Sequence, residues 1–385
     1  MKLGNKKLSK IGPTSLTSLA VCALVAAGAI GGNASASTSK AAGIEHATAE
    51  LKTYSALPKW VAPGPAFNIS KVKGMTIFSI PVSSSIAFES VTEAASAKLA
   101  AKYGIKWIDY TNDGSETQYV QGMDEAIADH VSLIELFGGI DPAQLAPQIK
   151  AAKAAGIPVV ASHFYQTGDN SAIPSYVNGS ISANFNEAAR LDADWIIKEA
   201  SGTAQLLEVE SSDLGPPALA GIQGMKSEFS TYCPDCKIKV INVPYADWAT
   251  DIPSEVSAAL SENSGVTYVL GAYDSMSTFI ESGIASAGRT GKVHISTYNG
   301  TPTFLDTIAK HGAVQMDVGE DETWLAYADL DQEMRILTGN PVVNEQGVLR
   351  VFDPSNIASA GNPPAAGVGY GSAYVKGFTS LWKTS

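Results

Sequence analysis

From residue 75 onward, apolar positions recur with two alternating periods. Residues 75–82 (MTIFSIPV) read as a buried strand, and 87–103 carry helical spacing that stops at Gly104. A strand follows at 105–110, a helix at 115–129 and a buried strand at 131–137. Asp141-Pro142 then opens a helix, with an acid in the capping position and proline in the first turn. That helix ends at Gly156, and 157–163 (IPVVASH) form the next strand. After a polar stretch at 165–182 the rhythm resumes. Helices at 184–199, 217–229, 252–261, 275–287, 303–310 and 321–337 alternate with strands at 204–210, 238–243, 266–271, 293–298 and 313–318. Repeated βαβ units demand a parallel sheet covered by helices on both faces. The predicted fold class is therefore α/β, with two doubly wound parallel-sheet domains.

The flanks carry less pattern. Residues 37–72 are rich in Ala, Ser and Pro and read as a linker, with a short helix at 44–54. Beyond Gly339 the chain reads as irregular, and Gly367, Gly369 and Gly371 as turn-formers. A dinucleotide loop would need a preceding strand and an acidic partner, which this glycine cluster lacks.

Composition narrows the class. The 385 residues, 45% of them apolar, suffice for a buried core and exceed one average domain. Basic residues number 26 against 38 acidic, a net charge of −12. The first 36 residues hold four of the lysines and no acid, so the rest carries 22 against 38. Such a chain has no nucleic-acid footprint, because phosphate contacts need clustered Lys and Arg. Lys2, Lys6, Lys7 and Lys10 precede an apolar stretch at 19–30, too short to span a bilayer, and then Ala34-Ser35-Ala36. This predicts a secretory signal peptide, residues 1–36, with lipidation at Cys22 as a minor alternative. The destination is the periplasm or the outer face of the cytoplasmic membrane. Cys233 and Cys236 remain, leading into an alternating strand rather than a helix, and no further soft ligands accompany them. A small structural disulfide is expected in an oxidising compartment, rather than a redox or zinc motif.

In open parallel sheets, ligands bind beyond the carboxyl ends of the strands. The residues there are Ser83 to Ser85, Asn112, Asp113, Ser115, Gln118, Phe137 to Gly139, and Ser162 to Tyr165 in the first half. The second half supplies Glu210 to Asp213, Tyr245 to Trp248, Tyr273-Asp274, Tyr298-Asn299, Asp317 and Glu320. Hydroxyls, amides, carboxylates and rings dominate, and Arg and Lys are nearly absent. That chemistry suits a neutral polyhydroxyl ligand, and also an ammonium group. The candidate stacking residues are Phe164, Trp248, Tyr273 and Tyr298, and the candidate hydrogen-bonding residues Ser84, His163, Asp274, Asn299 and Asp317.

The chain resembles the type I, ribose-binding-like periplasmic sugar-binding proteins, the substrate receptors of ABC importers. The likeness covers about residues 74–340. Ala272-Tyr273-Asp274-Ser275-Met276 resembles a strand-to-helix phrase of that family, with Tyr273 in place of Asn. Thr297-Tyr298-Asn299-Gly300-Thr301-Pro302 resembles a site-lining aromatic-Asp-Gly phrase, with Asn299 in place of Asp. The segment 313–317 resembles a returning strand, with Asp317 where Gln is common, and 182–184 resembles a hinge phrase. Two features of pentose and hexose binders are missing. An Asp, often followed by Arg, is replaced by His163-Phe164, and a helical Arg is lacking in 219–225 (LAGIQGM).

The resemblance implies a hinged receptor with an interdomain cleft. Its first domain would be 57–166 plus 319–338, and its second 167–318 plus 339–385, joined by three hinge segments. The ligand would be a sugar or polyol, or a small non-sugar molecule, and the partner an ABC permease in the membrane. A monomer without cofactor or metal is expected. A sensor presenting its closed form to a chemoreceptor or kinase is the alternative. Catalysis at His163, with Asp113 or Asp274 nearby, finds no support in a nucleophile elbow or metal spacing. A transcriptional regulator would need a helix-turn-helix where the signal segment stands.

Overall fold

The computed structural model describes residues 31–169 and 173–384. Its first half runs α1 (Gly31–Ser55), β1 (Phe67–Asn68), β2 (Thr76–Pro81), α2 (Ala87–Lys102), β3 (Lys106–Asp109), α3 (Glu116–Ala128), β4 (Leu133–Phe137), α4 (Ala146–Ala154), β5 (Val159–Gln166) and β6 (Gly179–Ala183). Then come α5 (Phe185–Glu199), β7 (Gln205–Glu210), α6 (Pro216–Tyr232), β8 (Lys237–Asn242), α7 (Trp248–Glu262), β9 (Tyr268–Gly271), α8 (Ser277–Ser286), β10 (His294–Asn299), α9 (Pro302–Ala309) and β11 (Val314–Glu320). The chain closes with α10 (Glu322–Leu337), β12 (Glu345–Gln346), β13 (Leu349–Phe352), α11 (Ala373–Leu381) and β14 (Trp382–Lys383).

Two six-stranded sheets result, in the orders β3-β2-β4-β5-β6-β12 and β8-β7-β9-β10-β11-β13. Every pairing in them is parallel except β11 with β13. The two doubly wound parallel-sheet domains expected from the βαβ rhythm are therefore present. Central strands bury both faces, as parallel sheets require: every residue of β4 (LIELF) is buried.

The domain boundaries differ from expectation. β6 falls in the polar stretch assigned to the second domain, yet it pairs with β5 in the first sheet. Its sequence, Gly-Ser-Ile-Ser-Ala, has one large apolar residue, so its strand character comes from its neighbours rather than from propensity. The tail is likewise divided. β12 extends the first sheet and β13 the second. Residues 353–371 cover the second domain through Ile357, Ala360 and Tyr370. α11 and β14 then return to the first domain, where Tyr374, Phe378 and Trp382 pack with Phe67, Trp324 and Tyr327. The chain thus passes between domains not only at Asn184, Asp321 and Gly347, but again near Gly371, where the glycines 367, 369 and 371 all take positive φ. α10 joins the first domain, as expected, packing against α2.

Within the segment expected to be a linker, the short helix expected at 44–54 is the C-terminal part of a longer one, α1, and irregular chain follows it to β1. Residues 1–38 form one unit and 39–385 another, and of the first the structure shows only that 31–38 begin α1. The expected signal segment otherwise lies outside the described residues. Within the second unit, α1 lies on the second domain: Ala47 and Leu51 pack with Leu191, Trp195 and Phe229. Gly43 permits this, because a side chain there would meet the Tyr232 carbonyl oxygen at 2.2 Å. Cys233 and Cys236 are disulfide-bonded between α6 and β8. No described helix is long and apolar enough to cross a membrane.

The interior holds many acids without cationic partners. The Ser79 hydroxyl lies 2.6 Å from Glu93 and 2.8 Å from Glu135, both buried. One hydroxyl proton cannot serve two carboxylates, so one of these acids carries a proton. Burial, then the neighbouring acids, raises the pKa of both, and of Asp329 and Glu333 beside them.

Two predictions follow from this packing. Burial pushes Asp274 to about 6, Asp321 to about 7 and Glu208 to about 9. Each is protonated in the folded chain at pH values where the unfolded chain has released the proton, so stability falls as pH rises from about 4 to about 9. The urea midpoint should drop across that range, and a midpoint that rises instead would contradict the protonated interior. Separately, Phe378→Ala should cost about 3–5 kcal/mol, because the ring is fully buried among Trp60, Tyr327 and Trp382. Urea unfolding with an unchanged slope and a lower midpoint is the expected result; a midpoint within error of wild type would show that α11 adds little.

Candidate functional site

The carboxyl ends of the two sheets face each other across a cleft. From the first domain, Val82, Phe88, Glu89, Gly138, Gly139 and His163 line it. From the second come Phe185, Leu214, Pro217, Trp248, Tyr273, Ser275 and Asn299. A second cavity continues behind Tyr273, where Asp192, Glu208, Glu210 and Met225 reach it from α5, α6 and the sheet. A wider groove opens toward solvent past Ser85, Asp113, Tyr245 and Phe279. Among the described residues, no Lys or Arg lines any of these spaces.

The cleft floor is a polar node between domains. His163 ends the regular part of β5 with a left-handed backbone (φ 54°), which breaks the strand's alternation. Its Nε2 lies 3.0 Å from Glu320 Oε2 and 3.1 Å from the Tyr298 hydroxyl. Tyr298 donates a short hydrogen bond to the same Glu320 oxygen. Burial, then Glu320, raises the Tyr298 pKa well above its ordinary value, so the phenol stays protonated and keeps donating. Rings of Phe88 and Phe185 pack on His163 at 4.9 and 5.0 Å. At the rim, the hydroxyls of Ser85 and Tyr245 meet across the domains at 3.1 Å.

Asn299 reaches the cleft because two buried acids hold the turn after β10. Asp317 accepts from the Gly300 N–H at 2.9 Å, and Asp274 from the Thr301 N–H at 2.8 Å. Asn299 itself has φ 136°, a region that favours glycine. Gly300 also has positive φ, and a side chain there would strike the Gly319 Cα at 2.4 Å. Glu89, in the first turn of α2, lies on the first-domain wall against Gly138, where a Cβ would meet Oε1 at 2.0 Å. Its Oε2 has no hydrogen-bond partner. Burial, then Glu93 and Glu135, raises its pKa well above the usual carboxylate range. That direction favours the protonated carboxyl, a form that can both donate and accept.

The sequence-predicted residues divide accordingly. His163, Trp248, Tyr273 and Asn299 line the main cleft, and Tyr298 bounds the cavity behind it. Tyr273 stacks on Trp248, whose Nε1 donates to Ser211 at 3.0 Å. The other four do not line it. Phe164 belongs to the first domain's interior, packed edge-on to Tyr165, since the break at His163 turns it inward. Ser84 ties its own turn to Asn112, through paired bonds of 3.1 Å. Asp274 and Asp317 position the Asn299 turn. His163 meets Glu320 and Tyr298 rather than Asp113 or Asp274. Sequence reasoning missed Phe88, Glu89 and Phe185, which lie in the first turns of helices rather than just past strands. Glu320 stood in the strand-end set without being chosen; its signal was its place at the end of β11.

With the cleft described, comparisons give its class. The periplasmic binding protein domain family matches residues 77–341, and the chain belongs to that family. Several solved structures share its fold. A solute-binding protein of an ABC transporter from Agrobacterium vitis, with bound allitol, has a TM-score of 0.64 at 16% identity, covering 74% of this chain and 98% of that one. One from Bacillus halodurans, with bound myo-inositol, has a TM-score of 0.63 at 14% identity, covering 76% and 99%. A Mycobacterium smegmatis protein in complex with β-D-fucofuranose has a TM-score of 0.62 at 17% identity, covering 80% and 97%. A sequence comparison with curated proteins returns no match.

The floor node generates one prediction. Glu320→Ala removes the acceptor shared by His163 and Tyr298, and small-angle scattering of the ligand-free protein should then show a larger radius of gyration. Scattering identical to wild type would mean that other contacts set the domain angle.

Proposed function

We propose that this protein is an extracytoplasmic receptor of an ABC importer, binding a sugar or polyol in the interdomain cleft and closing over it by hinge motion. The single observation behind this reading is the cleft's chemistry. The aromatic side chains of Phe88, Phe185, Trp248 and Tyr273 stand beside the hydrogen-bonding groups of Asn299, Ser275 and Glu89, with no Lys or Arg among the described lining residues. Rings cover the apolar faces of a sugar, while amide, hydroxyl and protonated carboxyl groups exchange hydrogen bonds with its hydroxyls. An anionic ligand would want a guanidinium. The family's location and the polyhydroxyl ligands of the solved neighbours support the same reading, as does the expected signal peptide.

Bound ligand would touch both domains, so its differential affinity for the closed form would drive closure. The membrane permease is the expected recipient and the working form a monomer. No catalytic role is assigned: His163 is engaged by Glu320 and Tyr298, and family and neighbours are binding proteins.

One observation favours a second ligand class. Glu89 has an unpartnered oxygen among aromatic rings, which would also suit an ammonium group.

A thermal-shift and calorimetric screen separates the two. A sugar or polyol with micromolar affinity should add roughly 4 kcal/mol at a thousandfold excess and raise Tm by several degrees. Its binding enthalpy should be independent of the buffer's ionisation heat. An amine that ionises Glu89 would release a proton and make the enthalpy buffer-dependent. Asn299→Gly, which keeps the backbone relaxed and removes only the amide, should weaken binding by about 1–3 kcal/mol. A screen without any sugar or polyol response would defeat the transport reading as stated.

A further inference from the structure

Away from the cleft, three helices of the second domain bring together a set of donors that the receptor role does not use. His46 on α1, Asp194 on α5 and Glu228 on α6 each offer one ligand atom, and these atoms lie within 4.8 Å of one another. His46 Nε2 is 2.7 Å from Glu228 Oε1 and 3.9 Å from Asp194 Oδ1. The imidazole is fixed by face-to-face stacking on Tyr232, with ring centroids 3.7 Å apart and planes 6° from parallel. Asp194 is fully buried, and neither of its carboxylate oxygens meets a hydrogen-bond donor; its close neighbour is the carboxylate of Glu228. A buried carboxylate left this way is costly unless a cation or a proton satisfies it. Arg190 does not reach it: its Nε goes to Glu228 Oε2 at 2.6 Å, and its Nη1 to Glu187 at 3.2 Å.

We propose that His46, Asp194 and Glu228 bind a divalent first-row transition metal, zinc by the character of the donors. One imidazole and two carboxylates from three separate elements match the usual ligands of Zn²⁺, with water completing the shell. For bonds of about 2.0–2.1 Å, a tetrahedral edge is about 3.3 Å. The two observed separations from Nε2, 2.7 and 3.9 Å, bracket that value, each within about 0.6 Å of it, so side-chain adjustments of that order bring the two carboxylates to metal-binding distance. Arg190, bonded to the second oxygen of Glu228, is the outer partner that orients a metal-bound carboxylate. The metal would fasten α1 to the body of the second domain, adding to the contacts of Ala47 and Leu51.

The test uses the full-length protein after chelator treatment. Titration with ZnCl₂ by calorimetry should show about one equivalent bound at micromolar affinity or better, and Co²⁺ should give visible ligand-field bands. His46→Ala and Asp194→Asn should each weaken Zn²⁺ binding by about 10- to 100-fold. Circular dichroism establishes that each variant is folded, and His311→Ala, outside the cluster, serves as the control. Failure of wild type to bind Zn²⁺ below about 100 μM, or binding that His46→Ala leaves intact in a folded protein, overturns the site.

Discussion

A single buried acceptor, the Glu320 carboxylate, ties the two domains together at the cleft floor. It ends the last parallel strand of the second sheet and takes hydrogen bonds from Tyr298 of that sheet and His163 of the first. Much of the surrounding chemistry serves this meeting. Gly347, on the third passage between domains, lies directly against this carboxylate: a Cβ there would fall 1.4 Å from Glu320 Oε1 and displace it. Gly319 likewise leaves room for the Tyr370 hydroxyl, at 2.1 Å from where a Cβ would stand. A buried polar contact of this kind is strong when satisfied and costly when half-made. It is therefore suited to a two-state joint, in which opening the cleft exposes all three groups to water at once.

Around that joint, carboxyl groups act in two different ways. Asp274, Asp317 and Asp321 accept backbone N–H bonds and shape turns: the first two hold the Asn299 loop, and the third caps α10 at the second passage. Glu89 instead keeps an oxygen free toward the cleft. The difference is local. The turn-holding acids are fixed by backbone N–H groups and do not line the cleft, whereas Glu89 does. Elsewhere, Glu93 and Glu135 meet the Ser79 hydroxyl and Asp329 that of Ser162, while Asp194 of the second domain meets no hydroxyl.

Much of the architecture was legible in the chain's periodicity. The βαβ rhythm from residue 75 to 337 reflects apolar faces that each element must bury, and the sheets follow from it. The tail and β6 were not legible, because short strands with one or two apolar residues depend on edges offered by other strands. α1 was read only as a short helix at 44–54 within a linker for a similar reason. Its alanine-rich face becomes a packing surface only against α5 and α6, and Gly43 only against the Tyr232 carbonyl.

For the candidate site, strand ends pointed to the region where the cleft lies. Trp248, Tyr273, His163 and Asn299 were found because parallel topology by itself carries strand-end residues to the mouth of the sheet. Which of them face the cleft was decided by backbone dihedrals and cross-loop bonds. His163 and Phe164 are neighbours in sequence, and one left-handed residue sends them to opposite surroundings. Phe88, Glu89 and Phe185 became visible only when the two sheets were set face to face, since their role depends on how deeply the first turn of a helix reaches across. The sequence by itself determined the layered α/β fold, the acidic balance and the scarcity of Lys and Arg at the strand ends, all of which follow from residue type and spacing. Tertiary structure decided which polar groups are already satisfied, because that depends on partners far apart in the chain.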